Sequence, residues 1–320
     1  VDINLTDLLV DGTTLYALDY SVFYKSEDNG LTWVRTNTGA AGQFYGTQKI
    51  TKLGTGTFAV YGWNGIYVST DSGVSWTQLS SGKEAISVRA NANGDLFATD
   101  PDGVKKHTKP ATGQPWTPAG LTIIRANTST LFHNQLAIDA SGNIYALSSN
   151  PTNSPNGNFD VIRSTDGGAS WLSIRGSGAT VLSIPTTDGV CSSCYSFFGF
   201  APDGKLYLAT GVSGNRLHVT ANPSVATATS VAWSVSTAYP ISLRSDPTVS
   251  SMAFASATKA FIGTYGDGIL LTTNLSATGT TWAYKNDGIY SSYGKEIEIA
   301  GTRLLMITNG GNKGLYQSTD

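Results

Sequence analysis

An all-β fold, a seven-bladed β-propeller of four-stranded blades, is predicted by three features of this chain. A turn motif recurs in register, a second hairpin recurs ahead of it, and helical periodicity is nowhere sustained. Of the 320 residues, 40% are hydrophobic, only 13% are charged and 36 are glycine, a balance that suits many short strands joined by tight turns.

The turn motif comes first. Ser26-Glu-Asp28-Asn-Gly30-Leu-Thr32-Trp33, Ser69-Thr-Asp71-Ser-Gly73-Val-Ser75-Trp76 and Ser164-Thr-Asp166-Gly-Gly168-Ala-Ser170-Trp171 fit S-x-D-x-G-x-[ST]-W at every fixed position, and Ser318-Thr-Asp320 begins a fourth copy. Looser versions run from Thr220-Ala-Asn222 to Trp233 and from Thr272-Thr-Asn274 to Trp282, while Trp116 marks a unit that has lost the motif. A short carboxylate accepts N–H groups of its own loop, Gly supplies a positive φ, and the Ser or Thr hydroxyl adds a local bond. The Trp that follows is a flat, large ring suited to packing between neighbouring sheets. Asp28, Asp71 and Asp166 therefore read as turn staples, not as catalytic acids.

The second hairpin precedes each turn as an apolar stretch, a polar Gly turn and a core strand. Leu8–Val10, Asp11-Gly12 and Leu15-Tyr16-Ala17 form the first copy. Its counterparts are Phe58-Ala59-Val60, Leu96-Phe97-Ala98, Ile144-Tyr145-Ala146, Leu206-Tyr207-Leu208, Ala260-Phe261-Ile262 and Leu304-Leu305-Met306. A third strand enters the turn motif and a fourth leaves from the Trp. The blades fall at about 8–37, 50–80, 86–118, 133–175, 196–236, 249–285 and 295–320 of one domain spanning 1–320. The last unit lacks a fourth strand and Val1–Leu5 is an orphan, so the N-terminal strand is expected to close the last blade.

Charge and length exclude several partners. Twenty basic against 22 acidic residues give a net charge of −2 with no Lys/Arg run, so no nucleic acid is expected. No apolar run approaches the roughly 20 residues that span a bilayer, so no transmembrane segment is expected. The chain begins at Val1 without a signal-like apolar region and reads as a mature or trimmed, exported, bacterial product acting as a monomer. Cys191-Ser-Ser-Cys194 has no helix start to activate a thiol and too few nearby ligands for zinc, which leaves a disulfide as its expected state. No cofactor or metal site is expected.

The three complete turn motifs resemble the Asp-box, or BNR repeat, of sialidase-like propellers. That resemblance implies that the boxes face one side and that the opposite face surrounds a central substrate pocket. Loops assigned to that face carry Asp19, Tyr20, Trp63, Asn64, Asp100, Asp102, Arg216, Tyr265 and Asp267 as ligand-binding candidates. Trp63 is the most informative, because six of the seven Trp occupy the fourth-strand position whereas Trp63 sits in the turn Tyr61-Gly-Trp63-Asn-Gly65. An exposed ring beside Asn, Asp and Tyr suits stacking on a sugar or on a protein side chain.

A sialidase should also carry an Arg-Ile-Pro element and three clamping arginines. The element is absent, and Arg125, Arg216 and Arg244, assigned to loops and inter-blade connections, match no family motif. Other glycosidases need two flanking carboxylates, for which Asp19, Asp100, Asp102, Asp267 and Asp287 are candidates. Catalytic residues stay unassigned. The reading that follows is an exported, non-catalytic propeller binding a glycan or a protein surface through the Trp63 face. The alternative is a glycoside hydrolase of the sialidase-like superfamily using two pocket carboxylates, and a third is an assembly factor of the kind known in photosynthetic membranes.

Overall fold

The computed structural model describes residues 4–38, 44–128, 132–149, 159–176, 182, 195–210, 217–225, 230–235, 249–264, 266–276, 279–289, 293–308 and 314–318. They form seven antiparallel sheets, each strand pairing with the next in the chain. The first sheet is Asp7–Asp11, Thr14–Asp19, Val22–Ser26 and Val34–Arg35 (β1–β4). The second is Thr47–Gly54, Thr57–Gly62, Gly65–Ser69 and Thr77–Ser80 (β5–β8), and the third Ser87–Ala90, Leu96–Asp100, Gly103–His107 and Leu121–Ala126 (β9–β12). Next come Phe132–Ile138, Ile144–Ser149, Phe159–Ser164 and Leu172–Ser173 (β13–β16), then Tyr195–Phe200, Leu206–Thr210, Leu217–Thr220 and Ser234–Val235 (β17–β20). Val249–Phe254, Ala260–Thr264, Gly268–Thr272 and Ala283–Tyr284 (β21–β24) precede a last sheet of three described strands, Gly294–Ala300, Arg303–Thr308 and Gly314–Ser318 (β25–β27). The fold is a seven-bladed β-propeller with almost no helix.

Two compact units are distinguished: Val1–Asn127 with Glu298–Ile307 and Lys313–Asp320, and Thr128–Ile297 with Thr308–Asn312. In each, the strand alternation explains the packing, because successive side chains point to opposite faces of a sheet. In β2, Leu15 and Ala17 join Leu8, Leu305 and Ile307, whereas Tyr16 and Leu18 join Phe23, Phe58 and Val60. In β18, Leu206 and Leu208 pack with Tyr145 and Trp233, whereas Tyr207 and Ala209 pack with Met252 and Ile262. A strand covered on both faces is apolar at nearly every position, and each fully buried Leu or Phe contributes about 1.5–3 kcal/mol. That is why the central strands read as unbroken hydrophobic runs.

The three complete turns are built alike. Ser26 Oγ donates to Asp28 Oδ1 (2.8 Å), Gly30 N–H donates to Ser26 Oγ (2.8 Å) and Thr32 N–H to Asp28 Oδ1 (2.8 Å). The same three bonds recur around Asp71 at 2.8, 2.8 and 2.9 Å and around Asp166 at 2.7, 2.8 and 2.9 Å. Each following Trp donates its indole N–H to the turn glycine carbonyl, at 3.1, 3.0 and 3.1 Å. Trp76 also meets Phe23 of the first sheet edge-on, with ring centroids 5.1 Å apart. In the looser turns, Asn222 and Asn274 take the aspartate position and keep the Thr hydroxyl bond at 3.1 and 3.0 Å.

Hydrogen bonds from Thr32 hold the Asp28 carboxyl down at about 2, and those from Ser170 hold Asp166 low as well. At Asp71 burial pushes upward, but the bonds from Ser75, Ser69 and Val74 outweigh it and the carboxyl is lowered. Depressed carboxylates stabilise the fold above their unfolded value and lose that contribution as pH falls through the folded value. Melting temperature is therefore expected to drop between about pH 4 and 2. An Asp28→Asn/Asp71→Asn/Asp166→Asn variant should melt lower at pH 7 and show a shallower acid slope in calorimetry. An acid slope equal to that of the wild type would contradict the staple role.

Three sequence expectations meet the structure here. Arg125, expected in an inter-blade connection, lies in β12 opposite Val104, because the third unit continues past Trp116 into a full fourth strand. The expected pairing of Val1–Leu5 with the last strand falls, for residues 1–3, outside the described residues; Leu5 itself packs beside Leu315 and Leu8. Cys191 and Cys194 also lie outside the described residues.

Candidate functional site

The turn Gly62–Gly65 between β6 and β7 sits against the connection that enters β5. Trp63 N–H donates to Gly46 O (2.9 Å), and both the N–H and the hydroxyl of Thr47 donate to Tyr20 O, at 3.1 and 3.0 Å. A Cβ on Gly62 would stand 2.6 Å from Gly46 O, so the approach requires glycine there. This close packing brings together three turns that are distant in sequence. Tyr20 and Trp63 face one another with ring centroids 5.8 Å apart and planes tilted by 31°. Trp63 is 57% exposed and Tyr45, next along the connection, is 72% exposed.

Beside them lies a cavity of about 410 Å³ lined by Ser21, Arg35, Phe44, Tyr45 and Tyr67. Its floor is fixed. Asn37, buried, accepts the Phe23 N–H at 2.9 Å and donates to Ser21 O at 2.8 Å, and Arg35 Nε donates to Asn37 O at 3.2 Å. Tyr67 OH receives Asn64 Nδ2 at 3.2 Å and Gln78 Nε2 at 3.0 Å, and burial raises the pKa of this phenol. The lining offers ring faces, hydroxyls and one guanidinium, and no carboxylate. It can stack on flat or apolar groups and hold an anionic or carbonyl oxygen, but the lining has no acid–base pair for glycoside hydrolysis.

Of the residues expected from the sequence, Tyr20 and Trp63 come together as an exposed pair. Asn64 spends its amide on Tyr67, and its carbonyl accepts Gln78 Nε2 at 3.3 Å. Asp19 ends β2 beside this turn, and its charge adds to the burial that raises the Tyr24 pKa. Asp100 is only 2% exposed; its Oδ1 accepts the Asp102 N–H at 2.8 Å and its Oδ2 takes Lys105 Nζ at 2.5 Å. Asp102 takes Lys105 and Lys83, at 2.8 and 2.6 Å, and these two ammonium groups lower its pKa. Asp267 belongs to the other unit, where its N–H donates to Thr264 Oγ1 at 3.1 Å and its carbonyl accepts Asn286 Nδ2 at 2.8 Å. Arg216 and Tyr265 lie outside the described residues.

Sequence reasoning missed Arg35, Ser21 and Phe44. Arg35 stands two residues after a turn Trp, at a position assigned to structure alone, and only its neighbour Val34, which is also exposed, hints that this short strand faces solvent. Among the described residues no group of three or more His, Cys, Asp or Glu is placed to hold a metal ion, and no helix is long and apolar enough to cross a membrane.

No known family profile and no curated protein matches the chain. Solved structures do. A structure of YCF48 bound to D1 peptide is 14% identical, with a TM-score of 0.64 over 99% of this chain and 91% of that one. PorZ, described as an essential bacterial surface component of the type-IX secretion system of Porphyromonas gingivalis, is 10% identical, with a TM-score of 0.66 over 95% of this chain and 45% of that one. Virginiamycin B lyase from Staphylococcus aureus is 12% identical, with a TM-score of 0.62 over 96% and 92%. At these identities the likeness shows the fold, and it spans propellers that bind peptide as well as a lyase.

Proposed function

We propose that this chain is an exported, non-catalytic binding propeller whose Trp63 face takes a polypeptide segment. The observation that carries the reading is the exposed Tyr20–Trp63 ring pair with Tyr45 beside it, standing over a cavity that holds Arg35 and no carboxylate. Aromatic rings supply contact area at low entropic cost, and a guanidinium fixes the orientation of a carbonyl or carboxylate. Two propellers of similar fold support a polypeptide ahead of a glycan: one is described with a bound peptide, the other as a component of a secretion system. The resemblance of the turns to the Asp-box and the Cys191–Cys194 disulfide belong to the same proposal.

The test is a peptide array and a glycan array probed with the full chain, beside a hydrolysis assay on chromogenic glycosides. Peptide hits are expected, with their signal lost in Tyr20→Ala and no glycoside turnover. Binding confined to glycans would replace the ligand class. Turnover abolished by Asp19→Asn or Asp267→Asn would replace the binding reading with the hydrolase one.

A further inference from the structure

The fourth strands of this fold are short. Val34–Arg35, Leu172–Ser173, Ser234–Val235 and Ala283–Tyr284 each have two residues and Thr77–Ser80 has four, but β12, Leu121–Ala126, has six. The difference begins at Trp116. In the other units the strand starts directly after the Trp, whereas here a 3-10 turn at Pro118–Gly120 intervenes. Trp116 is buried against the cluster of Leu96 and Ala98, with its ring 4.6 Å from that of His107. His107 Nε2 lies 3.0 Å from Thr117 O, and a Cβ on Gly120 would strike the imidazole at 2.3 Å. The approach to β12 is thereby held, and the strand runs the full length of β11, from His107 opposite Leu121 to Gly103 opposite Ala126.

One edge of β12 is consumed by β11; the other pairs with no strand among the described residues. An unpaired edge of this length is a template for another strand, and natural sheets usually shorten, cover or charge such an edge. Here it is long and presents Ile123, 51% exposed, together with exposed Thr122 and Arg125. Charge selects the occupant. From Gly103 to Ile138 the chain has no Asp or Glu and four basic residues, Lys105, Lys106, Lys109 and Arg125. Lys105 is neutralised by Asp100 and Asp102, and Lys106 lies 3.5 Å from Asp95, whereas Arg125 and Lys109 have no ion pair among the described residues. A second copy of the chain laid edge to edge would bring two basic strands together without a carboxylate between them, which opposes self-pairing.

We infer that β12 is a second docking site, at which an extended acidic peptide adds as a fifth strand, its backbone pairing with the free edge, an apolar side chain beside Ile123 and a carboxylate beside Arg125. The site is independent of the Trp63 face, because it rests on backbone pairing and charge. It suits a ligand that carries an acidic, strand-forming segment.

Fluorescence anisotropy with the full chain tests this, using a short labelled peptide alternating valine and glutamate. Two controls accompany it: its lysine counterpart, and the same acidic peptide N-methylated at alternate residues. The acidic peptide is expected to bind about tenfold or more tightly than either control. Arg125→Glu, an exposed change that leaves the melting temperature near that of the wild type, should reverse the charge preference, and Trp63→Ala should leave binding unchanged. Equal binding of the N-methylated peptide, or loss of binding in Trp63→Ala, would overturn the edge-strand site. So would absence of binding by the acidic peptide. A concentration-dependent dimer in sedimentation that Ile123→Lys dissolves would assign the edge to a second copy instead.

Discussion

Phe23→Ala is expected to cost about 3–5 kcal/mol, the range for truncating a buried aromatic in a core that collapses only partly. Phe23 is fully buried, and its ring lies 5.5 Å from that of Tyr16, 5.8 Å from Phe58 and 5.1 Å from Trp76. It therefore fastens the first sheet to the second and also backs the turn motif, since a Cβ on Gly73 would fall 2.4 Å from its ring. Its backbone N–H is held by Asn37, which shapes the floor of the cavity. The loss should appear as a lower urea midpoint followed by tryptophan fluorescence, and Phe23→Leu should recover more than half of it. A midpoint for Phe23→Ala within about 1 kcal/mol of the wild type would contradict the packing described.

Gly65→Ala is expected to cost about 2–4 kcal/mol, combining a strained backbone with a collision. Gly65 has φ +102, and a Cβ there would stand 2.1 Å from Ser80 O on the neighbouring strand. Gly82→Ala serves as the control, because φ is +69 there but nothing lies within 4 Å. The control should lose only the conformational part, about 1 kcal/mol. Since Gly65 closes the turn that carries Trp63, its replacement should weaken ligand binding as well as lower the melting temperature. Equal losses for the two variants would show that the Ser80 contact yields without strain.

The fold was legible because propeller sheets bury both faces of their inner strands, which leaves runs such as Leu206-Tyr207-Leu208 that no half-exposed strand would show. The fourth strands were legible only through the Trp before them, since two residues carry no periodicity. That rule misplaced Arg125, because Trp116 packs into the core well ahead of β12. At the site, Trp63 and Tyr20 could be read from their position in tight turns. Burial and pairing could not. Asp100 reads like an ordinary turn residue in sequence, yet it lies buried against Lys105, and Asn64 reads as a free amide but holds Tyr67. Arg35 and Ser21 meet only because Asn37 bonds back across the sheet, a contact that sequence spacing does not announce.

Titration calorimetry of a peptide hit against wild type, Trp63→Ala and Asp71→Ala tests the binding face most directly. A stacked ring adds on the order of 1 kcal/mol or more beyond its buried area, so Trp63→Ala should bind about tenfold or more weakly with its melting temperature unchanged. Asp71→Ala should melt lower, having lost its bonds to Ser69 and Ser75, and bind as the wild type does. Wild-type affinity in Trp63→Ala, or lost affinity in a well-folded Asp71→Ala, would contradict the assignment of the ligand to the Trp63 face.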